Sequence, residues 1–266
     1  MVKSSLIFPS YPSDFKIAIR LALPLIFNRK RSFRRDALNW IKNLYPAPVI
    51  LGRENIPQNG PFLLVFNHYF RLKYRAWWSV LAAAAIIPTE IHWVMAAAWT
   101  FPDHPFGRLL ESFSQVIFRR IAQVYNLSLM PPMPPRPWEI EARAKAVRSI
   151  LTYVQKNPKA ALGLAPEGGD SPSGILDMPA AGVGRFLLHL SHKGLIIYPL
   201  GIYESGGALT LNFGKPLSLE DPAENVPESR DRWGSQVVMQ AIAELLPKHL
   251  QGVFNRTDPA TKSQGM

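Results

Sequence analysis

Five residues, Phe62–Phe66 (FLLVF), form an unbroken apolar run, with Gly60-Pro61 before it and the polar pair Asn67-His68 directly after it. A run this short and this apolar predicts a strand buried on both faces, and such strands belong to parallel sheets covered by helices on each side. The pattern recurs along the chain. Residues 160–164, 196–202 and 208–213 are further runs of this kind, with 91–98 and the shorter 115–118 (QVIF) as two more. Segments of helical spacing alternate with them. Residues 76–87 are rich in Ala and Trp and are stopped by Pro88. In 139–155, Ile140, Ala144, Val147, Ile150, Leu151 and Val154 make one apolar stripe. Val183–His192 has Gly194 as a C-terminal stop, and Pro247 can end the last helix, 232–250, early. The alternation predicts a single α/β domain with a mainly parallel sheet flanked by helices. Residues 130–137 (MPPMPPRP) predict a stiff loop, because proline fits neither a helix interior nor a central strand.

Charge divides the chain differently. Of 30 Lys and Arg against 19 Asp and Glu, nine basic and two acidic residues fall in the first 45 positions, which carry +7 of the net +11. Such a basic segment can meet nucleic acid or an anionic membrane. The apolar run at 17–27 (IAIRLALPLIF), followed by NRKRSFRR, favours the membrane. The run falls short of the roughly 20 residues a spanning helix needs, and Arg20 and Pro24 interrupt it. Phe33, Ala37, Leu38, Trp40, Ile41 and Leu44 then recur at helical spacing, with Arg31, Arg34, Arg35 and Lys42 largely off that face. Basic amphipathic helices of this kind lie at the lipid headgroup boundary, although the same face can pack on a domain core. The expected organisation is a basic interfacial segment over 1–45, an α/β domain over 46–252 and a polar tail over 253–266. The chain lacks the zinc-finger spacing and aromatic-interleaved basic sheet of nucleic-acid modules, so nucleic acid is not an expected partner. It has no cysteine, which excludes disulfides, thiolate metal sites and thiol nucleophiles.

Four segments carry candidate chemistry. Asn67-His68 follows a buried strand, at the end where α/β sheets gather ligands, and an imidazole titrates near neutrality as a general base must. Arg119-Arg120 close QVIF, and guanidinium forks bind phosphate. Glu167, in APEGGDS, follows another buried strand, and its glycines permit tight turns. Pro199, inside IIYPLGI, predicts an edge strand or a bulge.

In order and spacing these segments resemble the glycerolipid acyltransferases, typified by the 1-acylglycerol-3-phosphate acyltransferases. That family carries Asn-His-x4-Asp, a strand ending in Arg, Phe-Pro-Glu-Gly-Thr-Arg-Ser, and a strand containing Val-Pro. Here they stand as NHYFRLK, VIFRR, APEGGDS and IIYPLGI. The resemblance extends over residues 48–220, through LGRENIPQNGPFLLVFNH before the histidine and FGKPL after the last strand. It implies a glycerolphosphate-acyltransferase-like fold and transfer of a fatty acyl group from acyl-CoA or acyl carrier protein to a lipid hydroxyl. The setting it implies is the cytoplasmic face of a membrane, held peripherally. His68 would be the general base, and backbone N–H groups of the 167–169 loop would stabilise the oxyanion. Asn67, Arg71, Lys73, Arg119, Arg120, Glu167, Gly168, Gly169, Ser171 and Pro199 would bind substrate, with the stretches 77–85 and 91–99 available to line an acyl channel. No metal or other cofactor is implied.

Two departures bear on activity. The family's Asp falls at Lys73, and the Arg of its Pro-Glu-Gly loop falls at Asp170. In the serine-protease arrangement, loss of the analogous carboxylate costs about 10⁴-fold in rate. Either another carboxylate substitutes, with Asp170 or Glu167 as candidates, or His68 works slowly without one. The alternative is a catalytically impaired, lipid-binding relative.

Overall fold

The computed structural model describes residues 8–101, 104–169, 173–221 and 227–255. Two helices open the chain, α1 (Asp14–Ile26) and α2 (Phe33–Ile41). They are followed by β1 (Val49–Leu51), β2 (Phe62–Phe66), α3 (Trp77–Ile86), β3 (His92–Ala96), α4 (Gly107–Tyr125) and β4 (Ser128–Met130). Then come α5 (Ile140–Lys156), β5 (Ala161–Leu164), α6 (Val183–His192), β6 (Ile196–Ser205), β7 (Ala208–Phe213) and α7 (Pro227–Ala243).

One seven-stranded sheet, ordered β1-β7-β6-β2-β5-β3-β4, organises these elements. Five strands, from β6 through β4, run parallel. β7 folds back antiparallel on β6 and takes β1 parallel beside it. The predicted α/β domain with a mainly parallel sheet is therefore the fold.

β2 is the middle strand, fully buried, and its period of two divides the interior. Phe62, Leu64 and Phe66 belong to a core shared with α2 and α3, which contains Trp40, Trp78, Leu81 and Ile202. Leu63 and Val65 belong to the opposite core, which contains Ile150, Leu187, Leu190, Val238 and Ile242 from α5, α6 and α7. α6 and α7 meet at Gly184, where an added Cβ would lie 1.8 Å from the Asp231 carbonyl oxygen.

Four expectations change. Residues 115–118 are not a strand but the middle of α4. Ser114, Phe118, Ala122 and Tyr125 form a buried stripe at helical spacing, which absorbs the short apolar run, and Asn126 ends the helix in the left-handed region at φ 55°. Pro199 does not mark a sheet edge, because β6 lies between β7 and β2. Its carbonyl accepts from Gly214 N–H, just past the end of β7. A strand residue's N–H and C=O point the same way, so the missing N–H falls where β7 has ended and no bond to β2 is lost. The apolar face of α2 packs on the domain: Ala37, Trp40 and Leu44 are buried in the core against α3. Finally, Trp78, Leu81–Ala85, Ile91 and Trp93 are core side chains, so these parts of 77–85 and 91–99 fill the interior and do not line a channel.

Outward-facing apolar rows belong to α1 and α4. On α1, Ile17 and Leu21 pack on the core, whereas Phe15, Ile19, Leu23 and Ile26 are 57–71% exposed along the other side. On α4, which packs against α1, Leu109, Phe113 and Val116, with Phe106 just before the helix, are 56–68% exposed. No helix among the described residues is long and apolar enough to cross a membrane.

Candidate active site

The parallel register places the carboxyl ends of β2 and β5 side by side against the middle of β6: Val65 pairs with both Leu164 and Pro199, and Phe66 pairs with Leu200, while β6 runs on to Ser205. The segments after β2 and β5 leave these ends together beside the second half of β6, making three segments at the position where open α/β sheets bind ligands. Residues 67–76 connect β2 to α3 without regular structure, so side chains fix their path.

Asn67 is buried and clamps β6 through both backbone polar groups of one residue. Its Nδ2 donates to the Ile202 carbonyl at 2.9 Å, and its Oδ1 accepts from Ile202 N–H at 2.7 Å. His68 comes next, and its backbone N–H donates to Glu167 Oε2 at 2.7 Å. The other oxygen of Glu167 accepts from Asp177 N–H at 3.3 Å. Burial pushes the Glu167 carboxyl up to about 7, against the two N–H donors that favour its ionised form. Glu167, one of the two candidate replacement carboxylates, thus holds the main chain of His68. Asp170, the other candidate, and Ser171 lie outside the described residues.

The turn around Glu167 is tight. Gly168 N–H donates to the Ala165 carbonyl at 3.0 Å, so that donor closes the turn and is not available to an oxyanion. Gly168 has φ 73°, and a Cβ there would lie 2.7 Å from Met133 Cγ in the proline-rich loop. Gly169 also faces Met133, with its hypothetical Cβ 3.6 Å from Met133 Cβ. Met133 lines a groove of about 680 Å³ with Phe101, Phe106 and Leu109.

Beyond His68, Tyr69 and Arg71 turn to a carboxylate that no motif marks, Glu204, near the end of β6. Arg71 grips it with Nε and Nη2, the latter at 2.9 Å from Oε1, and Tyr69 donates its hydroxyl at 3.2 Å. Tyr11, from the segment before α1, donates to the same carboxylate at 2.7 Å. Burial pushes the Tyr69 hydroxyl up to about 12 and Tyr11 higher, so both remain neutral donors. Arg71, expected to bind substrate, is therefore committed to Glu204. Lys73 is exposed in the left-handed region at φ 70°, in a turn closed by Tyr74 N–H donating to the Arg71 carbonyl. With Tyr11, Ser13, Arg75 and Trp78 it lines a cleft of about 260 Å³. Arg119 and Arg120 are exposed on α4, a helix apart from these three segments, and the register does not bring them to His68.

A single polar residue inside an apolar stretch carries no periodic signal, which hides Glu204, and Tyr11 lies in a short Pro- and Ser-punctuated stretch with no period at all. The one available hint was an acid closing an otherwise apolar strand (IIYPLGIYES).

Among solved structures, the 1-acyl-sn-glycerophosphate (LPA) acyltransferase PlsC from Thermotoga maritima is similar, at 16% identity, covering 88% of this chain and 83% of that one, with a TM-score of 0.49. The curated proteins give no match. The acyltransferase family model matches residues 48–203, which run from β1 into β6 and hold Asn67, His68, Glu167 and Pro199; the chain belongs to the acyltransferase family and is an acyltransferase.

Proposed function

We propose that this acyltransferase moves a fatty acyl group from an acyl thioester, acyl-CoA or acyl carrier protein, to a hydroxyl of a glycerolipid or related lipid, with His68 as general base. The observation that carries this reading is the 2.7 Å bond between His68 N–H and Glu167, which joins two segments 99 positions apart at the carboxyl ends of adjacent strands. The imidazole takes the proton of the acceptor hydroxyl as its oxygen attacks the thioester carbonyl. The tetrahedral intermediate then collapses, the C–S bond breaks, and the imidazolium returns the proton to the departing thiolate. No acyl-enzyme is required, in keeping with a chain that has no cysteine. The groove beside Gly168, lined by Phe101, Phe106, Leu109 and Met133, suits an acyl chain.

The reaction is proposed to take place at an anionic membrane surface, with the protein held peripherally on the cytoplasmic face. The outward apolar rows of α1 and α4 support this, together with the exposed cations Arg20, Arg29, Arg119 and Arg120 on or beside them. The test is thiol release from an acyl thioester in the presence of anionic vesicles carrying lysophospholipid. His68→Ala is expected to lower turnover about 10²–10⁴-fold while vesicle binding persists. Undiminished release by His68→Ala would refute the assignment of the base.

A further inference from the structure

Ten residues between β2 and α3 carry His68, and their own backbone supplies few bonds to fix it: Tyr69 N–H to the Asn67 carbonyl and Tyr74 N–H to the Arg71 carbonyl. Trp78 N–H and Ser79 N–H of α3 tie the loop's end through the Arg75 and Ala76 carbonyls, Glu167 holds His68 N–H, and the other anchors are side chains of the loop reaching β6. On the N-terminal side of His68 the anchor is Asn67 on Ile202. On the C-terminal side the anchor is Glu204, two residues further along the same strand, through Tyr69 and Arg71. Position 73, where the resemblance to the glycerolipid acyltransferases expects a carboxylate, holds an exposed lysine in a left-handed turn.

We propose that Glu204 is the positioning residue for His68: the loop is held by a carboxylate supplied from the end of β6, acting through Tyr69 and Arg71, in place of one at position 73. This rests on the general-base reading of His68. The Glu204 side chain is 2% exposed and receives four bonds, two from the Arg71 fork and one each from the Tyr11 and Tyr69 hydroxyls. A buried ion pair roughly breaks even in stability, because desolvation offsets the attraction. What it supplies is geometry. A fork-to-carboxylate contact fixes the direction of the Arg71 side chain, and the two hydroxyls fix the carboxylate in turn. Asn67 and Glu204 thereby pin the chain on both sides of His68 to one rigid strand, which sets where the imidazole can point. A displacement of about 1 Å at a catalytic base can cost on the order of 10²-fold. Tyr11 makes the segment before α1 a member of the same anchor, and its ring packs on Tyr74 and Trp78 at 5.6 and 5.3 Å.

The test uses the full chain, with oleoyl-CoA and 1-oleoylglycerol 3-phosphate in anionic vesicles and with ¹⁵N-histidine labelling, the His68 ring signal being identified by its loss in His68→Gln. Glu204→Gln keeps the shape and removes the charge. The expected result is a fall in kcat of about ten- to a hundredfold with KM for both substrates changed by less than about threefold, together with a shift of the His68 ring signal. Arg71→Lys, which keeps charge but not the fork, should show an intermediate loss. The double variant should be no worse than Glu204→Gln alone, since both act along one path. Unchanged kcat and an unmoved His68 signal in folded Glu204→Gln would overturn the proposal. If that variant does not fold, Tyr69→Phe, which removes one donor of the set, is held to the same two readouts. Should His68→Ala retain turnover, the general-base reading fails instead, and the ring signal still reports whether Glu204 holds the loop.

Discussion

His68 and Glu167 are joined main chain to side chain: the histidine's backbone N–H meets the carboxylate at 2.7 Å. Glu167 therefore links the loop after β2 to the loop after β5. Its titration should be visible in stability. Its folded pKa, raised by burial to about 7, exceeds the ordinary value of 4.5. The folded state thus binds this proton more tightly than the unfolded chain does. The contribution is complete below pH 4.5 and is lost as pH rises through about 7. Thermal unfolding of wild type against Glu167→Gln across that window should show wild type losing stability relative to the variant. Parallel curves would assign the pH dependence to other groups.

Asn67→Ala should destabilise by roughly 2–4 kcal/mol, because it leaves both backbone polar groups of Ile202 buried without their partners. Asn67→Asp should recover part of that, since it keeps an acceptor for Ile202 N–H but places an oxygen against the Ile202 carbonyl. Urea titration measures both.

Replacing Ile19 and Leu23 with Glu tests the outward row of α1. These side chains are 57% and 64% exposed, so stability should change by less than about 0.5 kcal/mol per site. Flotation with anionic vesicles should fall sharply. Trp40→Ala on α2 is the converse: its side chain is 7% exposed in the core, and its loss should cost about 3–5 kcal/mol with vesicle binding preserved in the folded fraction. Loss of flotation in the second variant but not the first would move the membrane-facing surface away from α1.

Gly184→Ala should destabilise by about 1–3 kcal/mol or more, since its Cβ would lie 1.8 Å from the Asp231 carbonyl oxygen and α6 and α7 would have to separate. The site lies on the other side of the sheet from α2 and α3, so kcat measured well below the melting temperature should be unaltered.

Much of the fold could be read in advance because β2, β5, β6 and α6 each carry a local signal. An unbroken apolar run between turn residues, or an apolar stripe, is decided within the segment itself. The same locality made Asn67-His68 and Glu167 stand out, since each directly follows such a run. The misreadings came where local pattern is ambiguous and packing decides. Four apolar residues at 115–118 fit a strand or a helix; Phe118 and Ala122 packing inward together chose the helix and left Arg119 and Arg120 exposed. An amphipathic helix fits a membrane or a core, and α3 supplied the core for α2. Pro199 implies an edge only if its absent N–H faces a neighbour, a fact of register that composition cannot hold. Glu204 was invisible for a stronger reason, since its partners Tyr11 and Arg71 lie 193 and 133 positions away.

Ser10 and Tyr45 pair as an antiparallel bridge, so the segment from 10 to 45 leaves the domain and returns at one point. Every surface it packs on, α3, Tyr125 and Glu204 among them, is synthesised later. During translation the inner face of α2 therefore emerges uncovered and stays so at least until α3, which ends at Ile86, has been made, and α1 waits longer, for α4. Until then a lipid surface or a chaperone is the competitor for the face that α3 will eventually cover, and the order of synthesis gives that competitor the first opportunity.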